Sequence, residues 1–574
     1  MHGSPRMREA KADPVMDAVA GIPQPASWWN RLTGLAARFD PFDIATVALL
    51  AALVVVALWT FRDYAISNDE GVQHRYGELI LNYYASGFTD LSVFNFQNLY
   101  LYGGLFDIIA VSLSHLLPVD PYELRHVLCA LIGIGAIGAT AAVARAIAGS
   151  RAGLIAAIAL SVCGVWYGSM FNHTKDIPFA AAMIGATLFL IRIARLLPAP
   201  RARDIAAFGL LAGAALGMRV LGLILLIYVG LAIAIYLPWP GDGSAGGHPR
   251  WRFAIVSLAR MLPALALAYL VMIFAWPWAA LAPLNPIRGL ITFAEFHYGI
   301  RTIFAGNVYD MEDVPRLYVP VYVLIKVPLL TLCGAALAML SLLPPRRAGG
   351  WPPRQRRDIV LLSVAAIFPL ACEVMAHGPA FSGLRHFLFV IPPLAALAGV
   401  GLDRVLTALA ARGRWLTAGA LAFGSVCWLW NAATLVRLHP DEYLFYNSAV
   451  GGLEGASRRY DMDYWFNSMP EAIDKLEAYL RNAPPDGSNW QKQVYSVAVC
   501  GERLAFDKTV TLPQLRFDFM PTWEQSDFFI APTQMNCDRD LDGKVVATVE
   551  RLGVVIATIK DRRAKTRPLS AAAQ

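Results

Sequence analysis

The sequence predicts an α-helical polytopic membrane protein that carries a small α/β domain at its C-terminal end. Three observations predict this fold class. Only 16% of the residues are charged, whereas about 25% is typical of soluble proteins. The mean hydropathy is +0.48, and apolar runs long enough to cross a bilayer recur between residues 43 and 436. Beyond residue 437 the sequence turns polar and mixed, which is typical of a folded domain outside the membrane.

The first 42 residues are polar and rich in Pro and Arg, and they lack the pattern of a cleaved signal peptide. We interpret them as a cytoplasmic N-terminal tail, and the run at 43–61 as an uncleaved signal anchor. The net charge of +7 does not indicate a nucleic-acid partner. The surplus Arg lies in short loops between apolar runs, as the positive-inside rule predicts.

The arginine-rich loops indicate how many apolar runs cross the membrane. Twelve candidate segments lie at 43–61, 99–117, 126–148, 154–171, 177–194, 205–218, 220–238, 253–275, 318–343, 359–377, 386–402 and 415–436. If 99–117 lies in the interface instead of crossing, every arginine-rich loop falls on the cytoplasmic side. We therefore predict about eleven transmembrane helices in a domain at 43–436, with the C-terminus periplasmic. The abundance of Ala, Gly and Arg favours a bacterial inner membrane.

The C-terminal region, 437–574, is predicted to be a small periplasmic α/β domain. Ser468 is a typical N-cap, and Pro470 follows within the first turn of a predicted helix. Short β-like runs follow at 494–499, 528–530, 545–549 and 554–559. Cys500 and Cys537 are the only cysteines of this region. An oxidising compartment would favour a disulfide between them, but the sequence does not give their separation, so a bridge and two free thiols both stay open.

Two groups of acidic residues follow apolar runs on the predicted outer face. Asp69 and Glu70 come directly after the first span, and the turn at 172–178 contains His173, Lys175 and Asp176. The plain alternatives are a solvated loop and a polar turn with a helix-capping Asp. Because both groups lie on one membrane face, we predict that Asp69, Glu70 and Asp176 form a catalytic site, with His173 in its wall.

Cations within apolar segments are predicted to bind a phosphate. Arg219, Lys326 and the pair Arg385-His386 lie in or beside predicted spans, where ionisable groups usually face the protein interior or a wet cavity. Snorkelling to the interface is the alternative. Together with Lys175 they would surround the phosphate of a lipid-linked donor.

Acids and cations on one membrane face predict a transfer reaction with a lipid phosphate as the leaving group. A carboxylate would accept the proton of the attacking hydroxyl, and the cations would stabilise the departing phosphate. In the loop at 276–317, His297 and Arg301 are candidates for the wall of the same site.

Five motifs in this order resemble the glycosyltransferase C superfamily, in particular the branch of the protein O-mannosyltransferases and the lipid A aminoarabinose transferase. The motifs are Asp69-Glu70, Lys175-Asp176, 320–328, 385–393 and the block 439–465. The resemblance covers about residues 43–470. It departs from those relatives at 98–105, where this chain has Asn-Leu-Tyr-Leu-Tyr-Gly-Gly-Leu in place of their His-Pro-Pro-Leu type of motif. This departure leaves the acceptor open.

The resemblance implies a hexosyl or pentosyl transfer, with inversion, from a polyprenyl-phosphate sugar to an acceptor on a glycan, lipid or protein. It makes Asp69 the base and Asp176 the acid that orients the acceptor, and it implies interfacial helices in the first outer loop. No cofactor is certain. Some relatives hold a divalent metal, for which Glu70, His173 and His297 are candidate ligands here, although their spacing is not that of a tight site.

Three other interpretations fit a polytopic chain with charged outer loops. A transporter or lipid flippase predicts matching interruptions in two halves of the chain, and the sequence shows no such symmetry. A non-catalytic scaffold with an external binding domain predicts that Asp69 and Asp176 tolerate substitution. A glycan polymerase or ligase that uses a diphosphate-linked donor would need more cations on its outer loops.

Overall fold

The computed structural model describes residues 40–237, 249–294, 299–343, 350–378, 380–482 and 490–566. The predicted N-terminal tail therefore lies almost wholly outside the described residues. The described part has a helical membrane body followed by a mixed α/β domain, so the predicted fold class is confirmed.

The helices of the membrane body follow the predicted apolar runs. They are α1 (Pro41–Thr60), α2 (Glu70–Ala85), α3 (Leu105–Leu116), α4 (Pro121–Ala148), α5 (Ser150–Ser161), α6 (Gly164–Tyr167), α7 (Ser169–Asn172), α8 (Asp176–Ala194), α9 (Ala202–Leu216), α10 (Ile224–Ile235), α11 (Arg250–Ala275), α12 (Pro277–Leu281), α13 (Asn285–Ala294), α14 (Tyr318–Lys326), α15 (Leu329–Leu340), α16 (Pro353–Ala376), α17 (Ile391–Ala410) and α18 (Arg414–Leu438). A short hairpin of β1 (Arg301–Phe304) and β2 (Asn307–Asp310) precedes α14.

Among the described residues, seven helices are long and apolar enough to cross a membrane, or nine if each of two bent pairs is one span. The bent pairs are α5 with 164–172, at 70°, and α14 with α15, at 114°. The count is below the predicted eleven because α9 and the stretch Val220–Ile235 are shorter than 18 residues. At about 1.5 Å per residue, helices of that length do not reach across a hydrocarbon core of about 30 Å.

Local sequence features explain where α4 begins and why α8 is buried. Asp120 caps α4 by accepting hydrogen bonds from the backbone N–H groups of Tyr122 (2.9 Å) and Glu123 (3.3 Å), and Pro121 occupies the first turn. The helix α8 is apolar on all sides, and 78% of its membrane-length window is buried. The segment 99–117, predicted not to cross, contains a 3₁₀ turn at Leu99–Leu101 and the twelve-residue helix α3.

The C-terminal domain contains a five-stranded mixed sheet. Its elements are α19 (Gly452–Ala456), α20 (Met469–Asn482), β3 (Tyr495–Val499), α21 (Arg503–Thr509), β4 (Leu515–Asp518), β5 (Phe528–Pro532), β6 (Lys544–Arg551), β7 (Val554–Asp561) and α22 (Arg563–Thr566). The strand order is β4-β3-β5-β7-β6, with β3 parallel to both of its neighbours and the other pairings antiparallel. The four predicted strands and the helix after Ser468 are present. The edge strand β4 was not predicted.

Contacts between the C-terminal domain and the first outer loop bring this domain over the membrane body. A Cβ on Gly71 would lie 2.6 Å from Leu504 of α21, and Lys508 donates to the Asp120 carboxylate at 2.9 Å. Cys500, at the end of β3, forms a disulfide with Cys537. The segment between α18 and α20 packs on the spans themselves, since a Cβ on Gly168 would lie 2.2 Å from the backbone nitrogen of Tyr443.

Candidate active site

Asp69 and Glu70 are adjacent in the chain but lie in different environments. Asp69 is the residue before α2, and its side chain is 40% exposed. Glu70 is the first residue of α2 and is fully buried. Consecutive residues at the start of a helix point about 100° apart. The Asp69 side chain is therefore partly open to solvent, whereas Glu70 is enclosed by protein.

Four predicted site residues meet in one cluster of charges. Arg385, from a 3₁₀ turn at Arg385–Val390, forms an ion pair with Asp69, and its Nε donates to Asp176 at 3.0 Å. Arg219 pairs with the other oxygen of Asp176. We call Asp69, Asp176, Arg219 and Arg385 the open cluster, because Asp69 is exposed and Arg219 lines a cavity. Its members come from four separate parts of the chain.

The cavity beside the open cluster has a volume of about 360 Å³ and mostly apolar walls. Its polar lining residues include Arg219, His386 and Glu373. The apolar lining residues are Val220, Leu221, Ile224, Leu290, Phe293, Met311, Pro369, Ala376, Phe381 and Phe387. A cation in the wall of a mostly apolar cavity suits an amphiphile with an anionic head and a hydrocarbon chain.

Lys175 and His173, in the turn before α8, are both buried. The Lys175 ammonium lies 4.3 Å from the centre of the Tyr102 ring, and burial lowers its pKa to about 8. Burial also lowers the pKa of His173 to about 3, so this imidazole is neutral at physiological pH. Its neighbours are Asn172, Tyr464 and Trp465.

The remaining predicted site residues lie in other surroundings. Lys326 is buried, donates to the carbonyl of Tyr443 at 2.8 Å, and lies 3.7 Å from the centre of the Tyr446 ring. Arg301 is exposed at the first position of β1. His297 lies outside the described residues.

A second cluster of charges, which sequence reasoning missed, surrounds Glu70. It consists of Glu70, Asp107, Arg125 and His126, each at most 3% exposed, and we call it the sealed cluster. Arg125 donates to Asp107 at 2.7 Å, and Nε2 of His126 lies 3.2 Å from Glu70. The available signal was the pair Arg125-His126 at the beginning of a predicted span, where ionisable residues are costly.

Hydrogen bonds link the sealed cluster to the loops that carry Asp69 and Asp176. Arg125 donates to Gln73 of α2 at 3.1 Å and to Thr174 of the turn before α8 at 3.0 Å. Thr174 also donates to Gln73 at 2.8 Å. Because Gln73 and Thr174 follow Asp69 and precede Asp176 closely in the chain, these bonds hold the two loops of the open cluster together.

Of the candidate metal ligands, Glu70 and His173 have other protein partners, and His297 lies outside the described residues. Glu70 accepts from the backbone N–H of Ser67 at 2.8 Å as well as contacting His126, and His173 contacts Asn172 and Trp465. Within the part of the chain that the structure describes, no three His, Cys, Asp or Glu side chains come together as a metal-binding group.

A protein-family model matches the part of the chain that contains several residues of the site. A family model described as dolichyl-phosphate-mannose-protein mannosyltransferase matches residues 120–279, which include Arg125, Lys175, Asp176 and Arg219. The resemblance to the glycosyltransferase C superfamily is confirmed. A comparison with curated proteins gives no significant match.

Alignments with solved structures give TM-scores below 0.5 at 14–16% sequence identity. ArnT from Cupriavidus metallidurans, bound to undecaprenyl phosphate, aligns with a TM-score of 0.45 at 16% identity over 90% of this chain and 97% of that one. The archaeal oligosaccharyltransferase AglB from Archaeoglobus fulgidus, with an inhibitory peptide and a dolichol-phosphate, aligns with a TM-score of 0.44 at 14% identity over 85% and 69%. Arabinofuranosyltransferase AftD from Mycobacteria aligns with a TM-score of 0.38 at 15% identity over 89% and 39%.

Proposed function

We propose that this protein is a membrane glycosyltransferase that moves a hexose or pentose from a polyprenyl-phosphate donor to an acceptor hydroxyl, with inversion. The observation that carries the proposal is the open cluster, in which two carboxylates and two arginines meet beside an apolar cavity. The exposed carboxylate can act as a base, the arginines can bind a phosphate, and the cavity can accept part of a lipid chain.

The reaction is a single displacement at the anomeric carbon. Asp69 accepts the proton of the acceptor hydroxyl while the hydroxyl oxygen attacks that carbon. The bond between the anomeric carbon and the phosphate oxygen breaks, and the polyprenyl phosphate leaves with additional negative charge. Arg219 and Arg385 stabilise this charge. Asp176 holds both arginines in position and orients the acceptor.

Other cations and neighbours have supporting roles in the proposal. Lys175 and His386 add to the phosphate site, which fits their positions beside Tyr102 and in the cavity wall. Lys326, which was predicted to bind the same phosphate, has its own partners in the C-terminal segment. His173, His297 and Arg301 remain proposed wall residues.

The description of the matched family supports a polyprenyl-phosphate sugar as donor, since dolichyl-phosphate mannose is such a compound. We place the site on the outer face of a bacterial inner membrane, with the transmembrane domain at 43–436 and a periplasmic domain at 437–574. The disulfide between Cys500 and Cys537 supports an oxidising compartment for that domain. The acceptor is a glycan, a lipid or a protein of the cell envelope.

The test is sugar transfer in membranes that contain the protein, supplied with a panel of radiolabelled polyprenyl-phosphate hexoses and pentoses. Wild type is compared with Asp69→Asn and with Asp90→Asn, a matched control in the same outer loop. We expect transfer from one donor by wild type and by the control, and loss of transfer in Asp69→Asn. The anomeric configuration of the product should be opposite to that of the donor.

Each other outcome contradicts a separate part of the proposal. Transfer that persists in Asp69→Asn would remove Asp69 as the base. Retained anomeric configuration would exclude a single displacement. If no donor supports transfer and the protein moves the lipid-linked sugar across the membrane, the protein is a flippase. If it binds a partner but neither transfers nor moves the sugar, it is a scaffold.

A further inference from the structure

The turn Asp463–Trp465 reaches the open cluster from the segment that follows the last membrane helix. Asp463 is buried and accepts hydrogen bonds from the hydroxyl of Tyr443 and from the backbone N–H groups of Asn467 (2.7 Å) and Ser468 (3.0 Å). The hydroxyl of Ser468 donates to the same carboxylate at 2.5 Å, and four donors on one carboxylate fix the path of the backbone through this turn. The next two side chains, Tyr464 and Trp465, are therefore presented to the membrane body in a defined orientation.

The indole of Trp465 is held between two residues of the candidate active site. Its ring lies 4.2 Å from Cζ of Arg385, within the range of a cation–π contact. Its Nε1 donates to Nε2 of His173 at 2.9 Å. Trp465 is 5% exposed, so both contacts are shielded from solvent and are stronger than they would be on the surface.

The hydrogen bonds of His173 determine its tautomer. An indole N–H can only donate, so Nε2 of His173 is the acceptor and carries no proton. Nδ1 then carries the proton and donates to Oδ1 of Asn172 at 3.0 Å. The hydroxyl of Tyr464 lies 2.6 Å from the same Nε2, so it shares with the indole N–H the single lone pair of that nitrogen. A neutral His173 thus anchors Trp465 without adding charge beside Arg385.

We propose that Trp465 is a positioning residue that orients the guanidinium of Arg385 for the leaving phosphate. The proposal rests on the glycosyltransferase function proposed above. A ring that contacts the face of a guanidinium uses none of its five N–H donors. Arg385 can therefore exchange Asp69 for a phosphate oxygen while its plane stays fixed. A third carboxylate in the place of Trp465 would hold Arg385 as well, but it would neutralise the charge that the phosphate needs.

A positioning role for Trp465 also accounts for a motif block, 439–465, that lies beyond the last predicted span. The segment follows the last predicted span, and its turn supplies the side chain that completes the surroundings of Arg385. The active site is then built jointly by the membrane body and by the chain that leads into the C-terminal domain.

The experiment measures kcat, and KM for the donor, with purified protein in lipid nanodiscs. The variants are Trp465→Phe, which keeps a ring but loses the N–H, and Trp465→Leu, which loses both. Trp523→Phe and Trp523→Leu are the matched controls. The Trp523 indole packs near Phe529 in the C-terminal sheet and donates to a backbone carbonyl at 3.2 Å. Asp69→Asn is measured in the same series.

We expect kcat to fall roughly 30-fold in Trp465→Leu, the rate equivalent of one desolvated cation–π contact. The fall should be several times smaller in Trp465→Phe, and KM for the donor should change by less than about threefold in both. A loss of kcat at Trp465 alone, with KM for the donor nearly unchanged, would indicate positioning. A general structural effect would instead lower the active fraction of both Trp523 variants as well.

Two results would overturn the inference while leaving the proposed function intact. One is wild-type kcat in Trp465→Leu, together with loss of transfer in Asp69→Asn. The other is an equal loss of kcat in the replacements of Trp465 and of Trp523. If wild type transfers no sugar from any donor of the panel, the proposed function fails and the inference fails with it.

Discussion

The open cluster and the sealed cluster begin at neighbouring residues, yet they differ in access to solvent. Asp69 of the open cluster is 40% exposed and shares Arg385 with Asp176. Glu70 of the sealed cluster is fully buried among groups that are themselves buried. Ion pairs that solvent or substrate can reach are able to exchange partners, whereas a buried pair cannot lose one partner without a large penalty. The difference in exposure supports the proposed chemistry at the open cluster, and it favours a role in holding the loops for the sealed cluster.

Arg125 and Arg385 differ in accessibility in the same way as the clusters to which they belong. Each arginine joins parts of the chain that lie far apart in sequence. Arg125 has no exposed surface, and it binds Asp107 of α3 as well as Gln73 and Thr174 beside the loops of Asp69 and Asp176. Arg385 has one face on Trp465 and its edge on two carboxylates, beside residues that line the cavity. A substrate can therefore compete for Arg385 but not for Arg125.

The largest effect on activity is expected for Asp69→Asn. Loss of a general base lowers kcat by about 10²–10⁴-fold, and the exposed position of Asp69 predicts little change in thermal stability. Transfer rate and melting temperature of the purified protein are the two measurements. A variant that keeps its rate but melts much lower would move Asp69 into the group of structural acids.

The largest effect on stability is expected for Arg125→Met. The substitution leaves Asp107 and Glu70 buried without their cation, and breaking a buried pair in this way costs about 3–5 kcal/mol. Chemical denaturation in detergent measures the loss. The control is Arg62→Met, which removes an exposed pair with Glu123 at 3.1 Å and should cost at most about 1 kcal/mol. Equal losses in both variants would contradict the distinction between sealed and open charges.

Arg219→Gln tests the cation that joins the open cluster to the cavity. Removing one group that stabilises a developing charge typically lowers the rate by about 10²-fold or more. We expect that loss in donor turnover, with the free energy of unfolding changed less than in Arg125→Met. Arg192→Gln, which removes a pair with Asp204 at 3.4 Å, is the control, and a similar loss of rate there would show a non-specific effect of removing arginines.

Glu70→Gln tests the other half of the acidic pair and should have a smaller effect on activity. Gln keeps the shape and an oxygen acceptor but loses the charge that faces Arg125 and His126. We expect kcat within about tenfold of wild type and a destabilisation of about 1–3 kcal/mol. Abolished transfer in Glu70→Gln, combined with a working Asp69→Asn, would reverse the two assignments.

The smallest effect concerns the pH dependence of donor binding through Lys175. Its pKa is lowered to about 8 by burial, so the ammonium is present below pH 8 and lost as the pH rises through that value. KM for the donor should therefore rise by a few-fold between pH 7 and pH 9, on the order of one weak charge contact. In Lys175→Arg the cation persists to much higher pH, and the rise should disappear. An unchanged rise in that variant would exclude Lys175 as its source.

Much of the architecture followed from composition and pattern. Low charge and recurring apolar runs indicated a polytopic membrane protein, and a change of composition near residue 437 indicated the second domain. Alternating runs predicted four of its five strands, and Ser468 with Pro470 predicted the start of α20. The acids and cations of the open cluster were all selected from the sequence, because a charge beside or inside an apolar run is costly and stands out locally.

The sequence by itself therefore determined the class of protein, the membrane body and the candidate residues. Only the tertiary structure decided which of them meet. Asp69, Asp176, Arg219 and Arg385 converge because apolar helices pack side by side, and no local pattern encodes which turn of one helix faces which turn of another. The same packing separates Glu70 from Asp69 and brings Trp465 from beyond the last span onto Arg385. Local periodicity predicts where a helix begins, whereas contacts between distant segments arise from the shape of the whole core.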